Sequence, residues 1–191
     1  MNVFNNIKYN LSKLFFLFRY FNKIKKYYPS WNTIPEKLQD EEKTRKKLFQ
    51  SFVADSVNQA CLQIGVRDQK HAPHWVSCDL YDTRPLIDYN DDIHNLKFEK
   101  HSFDKIACLA ILEHVENPLQ AIGELKRVLK PHGEIWVEVP FSQPYHPSPN
   151  DYWRVTLQGL RLWLKDFHEI KAGYFGNPLY NGIFFFGKKK E

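Results

Sequence analysis

The sequence has few of the residues that build disulfide frameworks, metal clusters and membrane spans. It contains three cysteines, Cys61, Cys78 and Cys108, in apolar stretches whose separations fit neither a CxxC motif nor a disulfide framework. We therefore expect buried thiols in a reducing compartment. The longest apolar run near the N-terminus, residues 14–18, is far shorter than the roughly 20 residues that a membrane span needs.

Acidic residues are missing from the first 35 positions, where lysine and arginine alternate with phenylalanine, leucine and isoleucine. This pattern is typical of a basic amphipathic helix. We interpret residues 1–35 as an N-terminal extension and 36–191 as one globular domain. The extension either covers the domain's own core or contacts an anionic membrane surface through residues 1–28, and an exposed aromatic face there would favour a homodimer. The protein is expected in the cytoplasm, and it would associate with a membrane if the extension contacts an anionic surface.

From residue 60 onward, short apolar runs alternate with turn signals, which predicts strands at 61–66, 74–81, 105–112, 134–141, 169–175 and 182–187. Between the third and fourth runs, Asn117 can cap a helix that starts at Pro118, and Pro131 with Gly133 ends it. A strand, an amphipathic helix and an apolar strand make a βαβ crossover, which favours a parallel sheet covered by helices. The last two runs are close enough to pair antiparallel at a sheet edge.

Two further helices and one short connection complete the pattern. Residues 35–59 read as a helix, and Thr156 can cap another one. Only eight residues, 66–73, separate the first two strand runs, whereas a parallel crossover usually takes a dozen or more. The first crossover helix is therefore expected to be reduced or missing.

The segment 92–141, "DIHNLKFEKHSFDKIACLAILEHVENPLQAIGELKRVLKPHGEIWVEVPF", resembles the second half of a small class I S-adenosylmethionine-dependent methyltransferase. The shared features are a strand after "FD" that leads into "LEH", and a crossover helix that ends in "RVLKPHG", where His132 replaces a glycine. The resemblance covers about 60–187 in outline and 92–156 strongly. It implies an α/β, Rossmann-like, mostly parallel sheet with an antiparallel edge strand and helices on both faces.

The resemblance also implies S-adenosyl-L-methionine as cofactor. Asp79, at the end of the second strand, matches the carboxylate that accepts both ribose hydroxyls. Asp92 and Ile93 match the acid and the apolar residue at the adenine edge, and Leu112 follows the third strand.

The glycine-rich loop departs from the family pattern. Gly65 occupies the position of its first glycine, but "VRDQKHAP" follows with no further glycine. Val66 and Arg67 add side chains where bare backbone is normally wanted, and Arg67 is a candidate for the cofactor's carboxylate. The same departure excludes a nicotinamide dehydrogenase, which needs a full G-x-G-x-x-G turn.

The acceptor side is expected in the "LEHV" segment and the loop 142–155. His114 and His146 are the candidate catalytic bases, since histidine is matched to neutral pH. The alternative for His114 is a histidine bonded to backbone at a helix start, and for Arg154 an ion pair with Asp151. The candidate substrate-binding residues are Tyr145, Asp151, Tyr152 and Arg154.

The leading hypothesis is methyl transfer to an unidentified small molecule or to a lipid- or sugar-linked acceptor. The alternative is a catalytically degenerate methyltransferase-like binding or scaffolding protein, which the glycine-poor loop would suit. Nucleic-acid methylation rests only on the net charge of +5 and is not expected. No metal site is predicted, because His71 and His74 have no matching cysteine or acid pair nearby.

Overall fold

The computed structural model describes residues 41–176 and 181–191. The strands there are β1 (Cys61–Ile64), β2 (Val76–Cys78), β3 (Phe103–Leu109), β4 (Leu129–Pro140), β5 (Phe167–Phe175) and β6 (Gly182–Lys189). The helices are α1 (Glu42–Ala54), α2 (Pro118–Val128) and α3 (Leu157–Trp163), with a 3₁₀ turn at Leu112–His114. The extension predicted for residues 1–35 lies outside the described residues, and no described helix is long and apolar enough to cross a bilayer.

The six strands form one sheet in the order β2-β1-β3-β4-β6-β5. The first four are mutually parallel, whereas β6 runs antiparallel to both β4 and β5. The predicted mostly parallel sheet with an antiparallel pair at its edge is confirmed, and the reversed strand is β6, one position in from the edge. No helix connects β1 to β2, as the short connection predicts.

Alternating residues of the central strands feed two separate hydrophobic clusters, one on each face of the sheet. On one face, Ile106 of β3 packs in a cluster with Leu125 of α2 and Leu160 of α3. On the other face, Trp136 of β4 and Phe52 of α1 belong to an aromatic cluster. The predicted helices on both faces of the sheet are therefore confirmed.

Helix α2 begins as predicted and ends earlier. The Asn117 side chain accepts a hydrogen bond from the Gln120 amide, and Pro118 takes the first helical position. Leu129 is already extended, with ψ 134, and pairs with Phe103, so β4 starts five residues before the predicted 134. The reason lies in Pro131, which cannot continue a helix and biases the residue before it toward extended backbone.

Strand β3 stops at Leu109 instead of continuing to 112. Ala110 has φ 54, in the left-handed region, which ends the strand and turns the chain into the 3₁₀ turn. The Ala110 amide donates to the Glu138 carbonyl of β4, so the turn remains tied to the sheet. Residues 111–114 consequently cross the carboxyl end of the sheet.

His71 lies in the connection between β1 and β2, packed edge-on against Phe49 and Trp75. Its Nε2 is buried and has no hydrogen-bond partner among the described residues. Burial lowers the pKa of His71 from 6.5 to about 4, because the charged imidazolium loses its water.

This buried imidazole predicts an acid-sensitive fold. Between pH 6.5 and about pH 4, His71 binds a proton in the unfolded chain and not in the folded one. The contribution of His71 to the free energy of unfolding is therefore fully present above pH 6.5 and decreases as the pH falls. Over this pH range, the free energy of unfolding of wild type should fall by up to roughly 3 kcal/mol more than that of His71→Leu, which has no imidazole to protonate. Urea unfolding at several pH values measures the difference. The exposed-site variant His168→Gln should keep the wild-type pH dependence, and parallel curves for all three proteins would contradict the assignment.

Candidate active site

A cleft of about 1070 Å³ lies at the carboxyl ends of the parallel strands. In open α/β sheets this is the edge at which ligands bind. The volume reaches the upper end of the range usual for cofactor pockets, so a nucleoside-sized molecule and a small acceptor fit together. The predicted site residues that line it are Gly65, Arg67, Asp79, Asp92, Ile93, His114 and Tyr152.

Asp79 follows β2 directly, and only one of its two carboxylate oxygens accepts hydrogen bonds in the described part of the chain. Its Oδ1 accepts hydrogen bonds from the amides of Tyr81 and Asp82, both at 2.9 Å, which closes the turn after the strand. In the described part of the chain, Oδ2 has no hydrogen-bond partner. The structure therefore leaves one charged oxygen at the cleft for a ligand hydroxyl.

Asp92 and Ile93 stand in a loop that is held by its own side chains. Asp92 Oδ1 accepts from the His94 amide and contacts His94 Nδ1, each at 2.8 Å. Burial raises the pKa of Asp92, but the hydrogen bonds from His94 together lower it by more, so the pKa lies below its usual value. The neighbouring Asp91 is buried and accepts from the Lys97 amide at 2.6 Å. Ile93 is 6% exposed and forms part of the apolar wall.

The loop after β1 keeps its shape without further glycines. Gly65 has φ 76, and a Cβ added there would lie 2.2 Å from Ile111 Cδ1, so no other residue fits without a shift. The Arg84 guanidinium donates to the Val66 and Arg67 carbonyls at 2.7 and 2.8 Å and so fixes the loop. The Arg67 side chain is 96% exposed, and among residues 41–176 and 181–191 it forms an ion pair only with Asp68, at 3.9 Å.

Leu112 does not reach the cleft. Its side chain is 0% exposed and belongs to the main hydrophobic core. Ala110 and Ile111 line the cleft in its place, because the left-handed turn at Ala110 shifts the chain after β3.

Residues 112–115 and the loop 142–155 are joined by hydrogen bonds from both backbone and side chain. The Tyr152 amide donates to the Glu113 carbonyl at 2.7 Å, and Trp153 Nε1 donates to the Val115 carbonyl at 2.9 Å. These contacts bring the histidines of the two segments together, with ring centroids 5.2 Å apart. Both candidate bases, His114 and His146, thus stand at one place beside the cleft.

Arg154 and Asp151 form an ion pair that folds the loop. The carboxylate of Asp151 is 1% exposed and meets the guanidinium at 2.6 and 2.7 Å. The remaining N–H groups of Arg154 donate to backbone carbonyls of residues 143, 144 and 153. Hydrogen bonds from Arg154 hold the pKa of Asp151 far below its usual value. All donors of Arg154 therefore have acceptors within the loop. Tyr145, by contrast, is 75% exposed and lies outside the cleft lining.

Glu113 lies between the two histidines, and the three residues form a Glu–His cluster. Glu113 Oε1 is 3.6 Å from His114 Nε2 and 3.8 Å from His146 Nε2. The Glu113 residue is 1% exposed, and neither carboxylate oxygen has a hydrogen-bond partner in the described ranges. Burial raises the pKa of Glu113 to about 7, against the lowering effects of its own amide and of Arg154.

Comparison with known proteins identifies the fold that carries this cleft. Residues 57–137 match the family model described as "Methyltransferase domain". The solved 1,6-didemethyltoxoflavin-N1-methyltransferase of Burkholderia thailandensis superposes with a TM-score of 0.63 at 12% identity, over 76% of this chain and 78% of that one. Residues 57–137 therefore resemble a methyltransferase domain, and the chain has the fold of class I methyltransferases. The family resemblance read from the sequence is thus confirmed.

Two other similarities limit what this domain says about the reaction. The tRNA U34 carboxymethyltransferase of Campylobacter curvus is 30% identical over a match that covers 42% of this chain and 32% of that protein. The match spans about a third of the relative's length. The [4+2]-cyclase SpnF superposes with a TM-score of 0.57 at 14% identity, over 75% of this chain and 80% of that one. The fold alone therefore does not name the chemistry.

Within this methyltransferase domain, sequence reasoning missed Glu113 as a site residue. The residue stands in the "LEH" segment that carried the resemblance, so a signal was present. Its burial and its position between His114 and His146 depend on the fold of a loop some 30 residues later in the chain, which no local pattern encodes.

The Asp151–Arg154 pair predicts a stability effect that can be compared with a surface pair. Asp151→Asn removes the bidentate contact and leaves Arg154 with a missing partner, so we expect a loss of about 2–3 kcal/mol in the free energy of unfolding. Arg161 and Glu169 form a matched bidentate pair whose side chains are 45% and 32% exposed. Glu169→Gln should cost less than about 1 kcal/mol. Chemical denaturation measures both losses. A loss for Asp151→Asn as small as the one expected for Glu169→Gln would refute a structural role for Asp151.

Proposed function

We propose that this chain is an S-adenosylmethionine-dependent methyltransferase acting on a small-molecule acceptor. The observation that carries the proposal is that one cleft combines both halves of such a site. Gly65, Asp79 and Asp92 line it at the ends of β1 and β2 and in the following loop, and His114 and Tyr152 line its other side.

The charge of the cleft supports the choice of ligand. Acidic side chains outnumber arginines in its lining, where the acids are Asp68, Asp79, Asp82, Asp91, Asp92, Glu116 and Glu138 and the arginines are Arg67 and Arg84. Such a lining attracts the positively charged sulfonium of the cofactor and repels a phosphate backbone. This favours a small acceptor over a nucleic acid, although the Campylobacter relative is named for tRNA. More specifically, we propose that the small acceptor is linked to a lipid or a sugar.

Several of the predicted residues have a role in this proposal. The second oxygen of Asp79 accepts the ribose hydroxyls, while Asp92 and Ile93 form the adenine edge. The cleft holds the acceptor in line with the methyl group, which supplies much of the rate. His114 or His146 takes the acceptor's proton, since an unprotonated imidazole is suited to that transfer near neutral pH.

The second candidate function, a scaffold without turnover, is favoured by one specific observation. Ile111 Cδ1 fills the space beside Gly65, and Val66 and Arg67 follow it where a glycine run is usual. If this loop leaves the cofactor too little room, the domain binds partners and no methyl donor.

The experiment that separates these functions is a calorimetric titration with S-adenosylmethionine and S-adenosylhomocysteine. We expect micromolar binding by wild type and at least tenfold weaker binding, about 1.4 kcal/mol, by Asp79→Asn. The asparagine retains an oxygen for the Tyr81 and Asp82 amides, so the turn survives while the charge is lost.

Asp68→Asn is the matched control, because it removes the same charge from the same cleft at a side chain that is 87% exposed. It should bind the cofactor as wild type does. No heat at millimolar ligand would overturn the enzyme proposal and support the scaffold. Equal weakening in both variants would show that general charge, and no specific contact by Asp79, attracts the ligand.

A further inference from the structure

The Glu–His cluster has a composition found in metal centres. Two imidazoles and one carboxylate are the protein ligands of many zinc sites and of non-haem iron sites. We propose that Glu113, His114 and His146 bind a divalent transition-metal ion. Their ligand atoms all lie within 4.8 Å of one another.

The carboxylate of Glu113 supplies the first argument. A buried carboxylate normally has hydrogen bonds or a paired cation, because leaving it without either costs several kcal/mol. The nearest guanidinium, that of Arg154, gives all its hydrogens to Asp151 and to backbone carbonyls. Protonation would remove the charge of Glu113 but would leave both oxygens without a partner. A cation between Glu113 and the histidines satisfies them.

The orientation of the two imidazoles supplies the second argument. His114 Nδ1 lies 2.6 Å from the Asn150 carbonyl, and His146 Nδ1 lies 2.8 Å from the Pro144 carbonyl. Each Nδ1 therefore carries the hydrogen and donates it to backbone. Arg154 Nη2 also approaches His146 Nδ1, at 3.1 Å, but its two hydrogens already have acceptors in Asp151 and Pro144.

This tautomer leaves the Nε2 lone pair of both rings directed to the cluster. A metal-binding histidine almost always donates its other ring hydrogen to a carbonyl or carboxylate in this way. The backbone carbonyls at 144 and 150 thus act as the outer supports of the two ligands.

The spacing supplies the third argument. Two donors that each lie about 2.1 Å from one ion at a tetrahedral angle are about 3.4 Å apart. The distances from Glu113 Oε1 to the histidine nitrogens are 3.6 and 3.8 Å. A contraction of a few tenths of an ångström brings the carboxylate to both imidazoles, and side-chain rotation must close the remaining pair, which lies within 4.8 Å.

The place of the cluster indicates what such an ion would do. His114 lines the cleft, so the open coordination positions face the acceptor end. With the ion bound, the imidazoles are its ligands, and the ion takes over the task proposed above for a histidine base by binding an acceptor oxygen and lowering the pKa of its hydroxyl. Ion binding can be measured apart from the proposed methyl transfer, since the ligand set is assembled by this chain without a cofactor.

A Co²⁺ titration of tag-free, chelator-treated protein tests the site by visible absorption. We expect one equivalent to bind, ligand-field bands typical of nitrogen and oxygen ligands, and displacement by Zn²⁺. Glu113→Gln and His146→Gln should each weaken binding at least tenfold. Circular dichroism of both variants verifies that they are folded, and His114→Gln replaces either one that is not.

The matched control is His168→Gln, which removes an exposed histidine from β5 and should leave Co²⁺ binding unchanged. The proposal is overturned if wild type binds no Co²⁺, or if both cluster variants bind it as wild type does. Cofactor binding in the same chelator-treated protein reports on the methyltransferase proposal separately, so failure of one leaves the other standing.

Discussion

The common direction of β2, β1, β3 and β4 is the constraint on which the site depends. Parallel strands bring all their carboxyl ends to one edge of the sheet, and each end there releases a loop. Asp79 follows β2, Gly65 follows β1, and the 3₁₀ turn follows β3. If one of these strands ran in the opposite direction, the loop that follows it would leave from the other edge of the sheet. Burial on both faces fixes the strands in turn, since a shift by one residue would exchange the aliphatic and aromatic clusters.

The second half of the site depends on a segment without regular structure. The loop 142–155 has no helix or strand of its own, so its shape comes from the Asp151–Arg154 pair and from hydrogen bonds to the 3₁₀ turn. The pair is local in sequence, whereas its effect, the placement of His146 against Glu113, is long-range. Rigid strand ends and a side-chain-braced loop therefore contribute different parts of one site. Such a division is common in enzymes built on a stable scaffold.

Much of the fold could be predicted from the sequence because its signals are local. The caps at Asn117 and Thr156, the short link between β1 and β2 and the apolar runs all depend on neighbouring residues. The ends of strands were less accurate. The left-handed Ala110 has no compositional mark, and Pro131 marks the end of the helix without showing that β4 starts as early as Leu129. The residues predicted to bind the cofactor line one cleft, apart from Leu112, and their role is a proposal. Glu113 was not predicted as a site residue, because its burial and its neighbours are known only from the folded structure.

The position of β6 between β4 and β5 has a consequence for the order in which the chain is made. Synthesis proceeds from the N-terminus, so β5 leaves the ribosome before the strand that must separate it from β4. Until residues 182–189 emerge, β4 presents an unpaired apolar edge with seven pairing positions for β6. Such an edge is a template for wrong pairing, either with β5 or with a second nascent chain. The sheet closes last at its second strand from the edge, and a pause in translation before residue 182 would prolong the most aggregation-prone stage of its biogenesis.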